Sequence, residues 1–150
     1  LGRAHIFMAQ PHYQNQFKNL LGYTAWPGTL NIKVDEESLE KYVALRTKSG
    51  VSSKGLDDSI IEKSKKIEMS DVNAQKINGF ERDGSSFGGA TAFTSLISSE
   101  SGDEVDCAIL IPDLTRHVDI VEIISSHFLR EKLALENGDY TEITIQIDNS

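Results

Sequence analysis

The stretch Pro27-Gly28-Thr29-Leu30-Asn31-Ile32 decides how the chain is read. Proline fixes φ and glycine supplies the positive φ of a type II turn, so the dipeptide predicts a tight turn. The residues after the turn alternate polar and apolar, with the period of a β-strand. Thr29 and Asn31 then share one face, while Leu30 and Ile32 turn towards a core. A hydroxyl and an amide oxygen are thereby presented side by side from a stiff mount. Two neutral oxygens hold a bare cation poorly. They suit Mg²⁺ arriving with a nucleotide, because phosphates and waters complete its shell. An ordinary Pro-Gly turn opening a half-buried strand is the alternative.

Outward from this stretch the pattern is mostly strands and turns. Upstream, Gly2 to Met8 reads as a glycine-containing loop feeding a strand. Pro11 opens a helix whose apolar face is Tyr13, Phe17, Leu20 and Leu21, and Gly22 ends it. Downstream, Asp35–Tyr42 is expected as a short helix and Val43–Leu45 as a brief strand. Residues 48–73 are polar and lysine-rich, with a helical turn or two over Asp58–Lys66. Such an excursion is either a functional lid or simply tolerated. Ile77–Phe80 and Phe87–Phe93, around Asp83-Gly84, predict a hairpin, and Gly88-Gly89 marks a bulge or a close approach. Thr94–Ser98, Val105–Ile111 and Val121–Ile124 read as strands. Ser125 or Ser126 is expected to cap a helix over His127–Leu135. Asn137-Gly138-Asp139 is a turn into Tyr140–Ile147, where Ile143, Ile145 and Ile147 face inward. Short strands without regular crossover helices exclude a doubly wound parallel sheet. They predict a mainly β fold, a small closed β-barrel with a few short helices.

At 150 residues the chain is one domain with room for a real core. Its net charge of −8 argues against general binding to nucleic acid or anionic membranes. No apolar run approaches the roughly 20 residues of a membrane span. The single cysteine, Cys107, excludes an internal disulfide and sits in a strand-like run as a buried, inert thiol, which fits a reducing cytoplasm. The chain opens on Leu1-Gly2, the middle of a loop or strand, so residues before it are expected. His5, His12, His117 and His127 are too dispersed for zinc. Glu122 is the one acid in an apolar run. Burial there would raise its pKa towards that of a general base; an acid on the solvent face of an edge strand is the alternative.

Several segments, in order, resemble one family. Leu1-Gly2-Arg3-Ala4-His5-Ile6-Phe7-Met8 resembles the tail of a glycine-rich nucleotide loop and its strand. Then come Pro27-Gly28-Thr29-Leu30-Asn31, Gly79-Phe80 before Phe87-Gly88-Gly89, and Thr115-Arg116-His117 before Val121-Glu122-Ile123-Ile124. Leu129-Arg130 and Leu135-Glu136-Asn137-Gly138-Asp139 complete the set. Together they resemble the archaeal CTP-dependent riboflavin kinases over nearly the whole chain except residues 48–73. The resemblance implies a six-stranded cradle-loop barrel that transfers the CTP γ-phosphoryl group to riboflavin, giving FMN and CDP. It implies Mg²⁺ on Thr29 and Asn31, and flavin on Thr115 and Glu122, with Glu122 as the catalytic base. The cytidine nucleotide would lie on Leu1, Gly2, Arg3, Ala4 and His5 and on His127, Phe128, Leu129 and Arg130. Arg3 and Ala4 stand where the family loop carries Glu and Gly. Ser125-Ser126 replaces its Ala-Pro, and Thr115 to Glu122 is one residue short.

A monomer with no nucleic-acid or membrane partner is expected. Two other readings stay open. One is a barrel that binds flavin or nucleotide without catalysis. The other is a swapped-hairpin DNA-binding module, which the acidic charge disfavours.

Overall fold

The structure is a computed structural model that describes residues 8–100, 102–115 and 117–147, apart from the side chains of Arg82 and Ser85. The expected nucleotide loop from Leu1 to His5, and Arg116, lie outside the described residues. Met8, expected to end a strand, is helical.

Helix α1 (Pro11–Leu21) buries Tyr13 and Phe17 as its spacing predicts. It stops where Gly22 turns left-handed at φ 84° and sends its N–H to the Lys18 carbonyl. Strand β1 (Leu30–Lys33) follows. Gly28 is not among the positive-φ glycines. Its N–H instead reaches the Trp26 carbonyl at 2.9 Å, a three-residue turn about Pro27 rather than the type II turn expected.

Helix α2 (Glu36–Lys48) runs through the region expected to hold a helix and then a strand. Leu39, Tyr42, Val43 and Arg46 are all buried and spaced i, i+3, i+4, i+7. A charged residue in the fourth position hid that stripe from the sequence. Helix α3 (Asp58–Ser64) lies inside the polar excursion, as expected. Val51, Met69 and Val72, at the two ends of that excursion, pack on the core.

The main sheet is antiparallel. Its members are β1, β2 (Gln75–Ile77), β5 (Ala90–Ser99), β6 (Glu104–Pro112), β7 (Ile120–Ile124) and β8 (Thr141–Ile145). They run in the order β1-β7-β6-β5-β2, and β8 also pairs with β5. The expected hairpin is divided. Strand β2 joins the main sheet, while β3 (Phe80–Arg82) and β4 (Ser85–Phe87) form a separate two-stranded ribbon. Asp83 and Gly84, at φ 52° and 78°, make its two-residue loop. Gly89 bears out the close approach, since a Cβ there would lie 2.8 Å from the Ile77 carbonyl oxygen; around Gly88 the space is open.

Both faces of the sheet are covered, so β6 buries Val105 and every residue from Cys107 to Ile111. On one face Phe93, Ile97, Ile109, Ile111, Val121 and Ile123 pack with Tyr42 and Leu45 of α2 and with Leu129 and Leu133. On the other, Ala92, Ala108, Leu110 and Ile124 pack beneath Tyr13 and Phe17.

The sheet is curled but does not close into the six-stranded barrel expected. One edge of β5 is shared end to end, by β2 at Ala90–Ala92 and by β8 at Ser95–Ser99. Strands β1 and β8 are not paired with each other, and residues of both, Leu30 and Ile32 facing Ile143 and Ile145, line a cavity of about 650 Å³.

The expected helix over His127–Leu135 contracts to α4 (Leu129–Lys132), with Phe128 as a cap that makes no side-chain hydrogen bond. Ala134 turns left-handed at φ 51°, and the Leu135 N–H reaches back to the Arg130 carbonyl, ending the helix after one turn. Ile147, expected inside, is 54% exposed.

Candidate active site

Strand β1 lies antiparallel to β7, and the register sets Asn31 directly opposite Glu122. Opposed residues project to the same face, with Cβ atoms roughly 5 Å apart. The Thr29 hydroxyl, just before β1, donates to Asn31 Oδ1 at 2.8 Å. Thr29, Asn31 and Glu122 therefore form one contiguous row, assembled from distant parts of the chain.

The two neutral oxygens fit the ion proposed for them. Octahedral Mg²⁺ binds oxygen at about 2.0–2.1 Å, which separates adjacent ligands by about 2.9 Å. Asn31 is exposed and Thr29 only half-buried, so neither oxygen is sealed by the core.

Glu122 is half-buried, and its other neighbour across β6 is Leu110. Burial pushes its carboxyl above the ordinary range, and the His117 imidazole pulls part of the way back. The expected shift is therefore present and has the expected cause. The alternative, an acid on the solvent face of an edge strand, does not hold, because β7 lies between β1 and β6 and Glu122 is half-buried.

Thr115 lies in the β6–β7 loop. Its N–H bonds the Pro112 carbonyl, and its Oγ1 accepts from the His117 N–H at 3.4 Å. The loop is pinned at one end by Lys76 Nζ on both Asp113 oxygens at 2.8 and 2.9 Å. At the other end the Val34 N–H bonds the Asp119 carbonyl.

Of the 127–130 segment, Phe128 is 42% exposed and stacks on Trp26, with centroids 5.0 Å apart and planes 17° apart. Trp26 also donates its backbone N–H to the Ser125 carbonyl. The stack ties this segment to the turn that carries Thr29. Ser125 does not cap a helix; its hydroxyl donates to the Asp106 carbonyl and accepts from the His127 N–H. Leu129 is 4% exposed and belongs to the core, so only its backbone is available to a ligand. The carbonyls of Phe128, Leu129 and Arg130 already accept bonds within the turn. The Phe128 carbonyl accepts from both Glu131 and Lys132, whereas those of Leu129 and Arg130 accept one bond each and keep a second lone pair. His127 and Arg130 are exposed.

Two neighbours escaped the sequence reading. Trp26 was legible only as a residue leading into the turn. Arg46 is buried in α2, and its guanidinium reaches the His117 carbonyl at 2.8 Å.

A family model named CTP-dep_RFKase, described as a domain of unknown function, DUF120, matches residues 1–62 and 55–147. Among curated proteins, the riboflavin kinase of Sulfurisphaera tokodaii is 36% identical over 149 residues, covering 98% of this chain and 89% of that protein. That of Sulfolobus acidocaldarius is 33% identical over 149 residues, covering 98% of this chain and 76% of its own. The Thermoplasma acidophilum riboflavin kinase is 28% identical over 145 residues, 97% of this chain but 53% of that protein. The chain thus spans about half the length of some relatives and most of others. The ordered motifs and the match over nearly the full length agree: this chain belongs to the family of CTP-dependent riboflavin kinases.

Proposed function

We propose that the protein phosphorylates riboflavin with CTP, giving FMN and CDP. The observation that carries this reading is the register of β1 on β7, which sets a pair of neutral oxygens beside a carboxyl raised by burial. Phosphoryl transfer asks for positioning, charge neutralisation and a group near the attacking hydroxyl. Glu122 supplies the last. The riboflavin 5′-hydroxyl oxygen attacks the γ-phosphorus, the bond from that phosphorus to the bridging oxygen breaks, and CDP leaves. The hydroxyl proton passes to Glu122, which burial makes a stronger base than an ordinary carboxylate. Thr29 and Asn31 would hold Mg²⁺, which when bound neutralises phosphate charge.

Thr115 orients the flavin from the β6–β7 loop, and the 127–130 segment holds the cytidine nucleotide together with Leu1 to His5. A pocket sized for one ring would prefer a pyrimidine over a purine.

FMN formation from riboflavin and Mg²⁺, with CTP and ATP in parallel reactions, tests the proposal. Product with CTP alone is the expected result. Product with ATP alone would keep the kinase and overturn the donor. No product with either would leave a flavin- or nucleotide-binding protein without catalysis.

A further inference from the structure

Arg46 is 2% exposed, and among the described residues no carboxylate is ion-paired with it. A buried charge without a counter-ion is costly unless its protons are taken up. Here the acceptors come from two places. Nε donates to Ser53 Oγ at 2.9 Å, and Nη2 donates to the Ser52 carbonyl. Nη1 donates to the His117 carbonyl at 2.8 Å, and the guanidinium also lies 5.9 Å from the Tyr42 ring centroid. One planar cation therefore bridges the start of the polar excursion and the middle of the β6–β7 loop.

The position of that bridge matters more than its existence. Both ends of the loop are pinned independently, Asp113 by Lys76 and the Gly89 carbonyl, and Asp119 by Val34. Between them, Arg46 holds His117, and the His117 N–H meets the Thr115 hydroxyl. The end of α2 does not depend on the guanidinium, because Ser49 and Val51 close it through their backbone N–H groups on the Leu45 and Arg46 carbonyls.

We propose that Arg46 is a positioning residue for the flavin side of the site: it sets the loop that carries Thr115 and His117 and ties that loop to Ser52 and Ser53. The inference rests on the kinase reading above. It is selective, because the Arg46 guanidinium donates to Ser52, Ser53 and His117 and not to Thr29, Asn31 or the 127–130 segment. A lysine retains the charge but cannot span three acceptors with a planar fork.

The test is a set of steady-state assays on wild type, Arg46→Lys and Ser53→Ala, with circular dichroism to confirm folding and riboflavin fluorescence quenching to read binding directly. Expected for Arg46→Lys is a riboflavin KM raised about tenfold, the size of one charge-assisted hydrogen bond. The CTP KM should stay within about twofold. Ser53→Ala, which removes only one of the three bonds, should raise the riboflavin KM by about threefold and carries the test if Arg46→Lys does not fold. A folded variant with unchanged riboflavin KM and quenching would overturn the proposal, as would equal losses for both substrates. A wild type that neither binds nor phosphorylates riboflavin would instead defeat the kinase reading, and the proposal with it.

Discussion

Glu122 stands under two opposed influences, burial between Asn31 and Leu110 and the imidazole of His117, and burial prevails. As the base, it should matter to turnover far more than to affinity. Glu122→Gln is expected to lower kcat by about 10²–10⁴-fold, with riboflavin binding by fluorescence nearly unchanged; equal loss of both would leave it a binding role only. The same shift has a signature in stability. A carboxyl whose folded pKa is raised favours the folded state while protonated, and that contribution fades as pH rises from the ordinary value through the raised one. Glutamine stays neutral throughout. In metal-free protein, the melting temperature of Glu122→Gln should therefore exceed wild type at pH 8, and the gap should narrow towards pH 4; a gap independent of pH would contradict the burial argument. Thr29→Ala and Asn31→Ala each remove one of two oxygens 2.8 Å apart. Each should shift the Mg²⁺ titration of activity to higher concentration, and an unchanged titration would remove that residue as a ligand.

Among the elements, the ribbon β3–β4 and its glycines show how a local signal acquires a tertiary meaning. Asp83-Gly84 declares the turn in the sequence, and the structure places both residues at positive φ. The approach of the returning chain is invisible locally. A Cβ on Gly79 would meet the Phe87 carbonyl oxygen at 2.3 Å and the backbone of Gly88 and Gly89 at 2.9 Å. Backbone cannot swing aside as a side-chain tip can. Gly79→Ala should cost about 1–3 kcal/mol in denaturant unfolding, whereas Gly88→Ala, with nothing within 4 Å, should stay close to wild type. Equal costs at the two positions would contradict the contact argument, because the loss of unfolded-chain entropy on Gly→Ala favours folding at both. Helix α2 teaches the opposite lesson. Its apolar stripe ends on a buried arginine, so reading hydrophobicity alone broke one helix into a helix and a strand. The helix expected over His127–Leu135 shrinks to α4 for a related reason: Leu129 and Leu133 are both buried, but Ala134 leaves the helical region and stops the run.

At the scale of the molecule, one sheet carries a core on each face, and Cys107 lies inside it at 2% exposure. Burial first, and the neighbouring Asp106 charge second, push its thiol up to about 12. Thiolate is the reactive form, so at pH 8 a thiol reagent should modify Cys107 only as the sheet opens, and its rate should rise with urea in step with global unfolding. Rapid stoichiometric labelling of native protein would contradict this packing. The sequence by itself determined the strand alternation, the helix α1 and its glycine stop, the buried cysteine, and the ordered motifs with their family, because each is written in neighbouring residues or in their order. Only the tertiary structure decided which of those residues meet. Asn31 faces Glu122 because two distant strands pair in one register, Trp26 stacks on Phe128 across the end of that pair, and Arg46 reaches His117 from another element. The same holds for closure. Alternation signals strands but not their neighbours, and β5 gives one edge to both β2 and β8, leaving the curled sheet open beside β1.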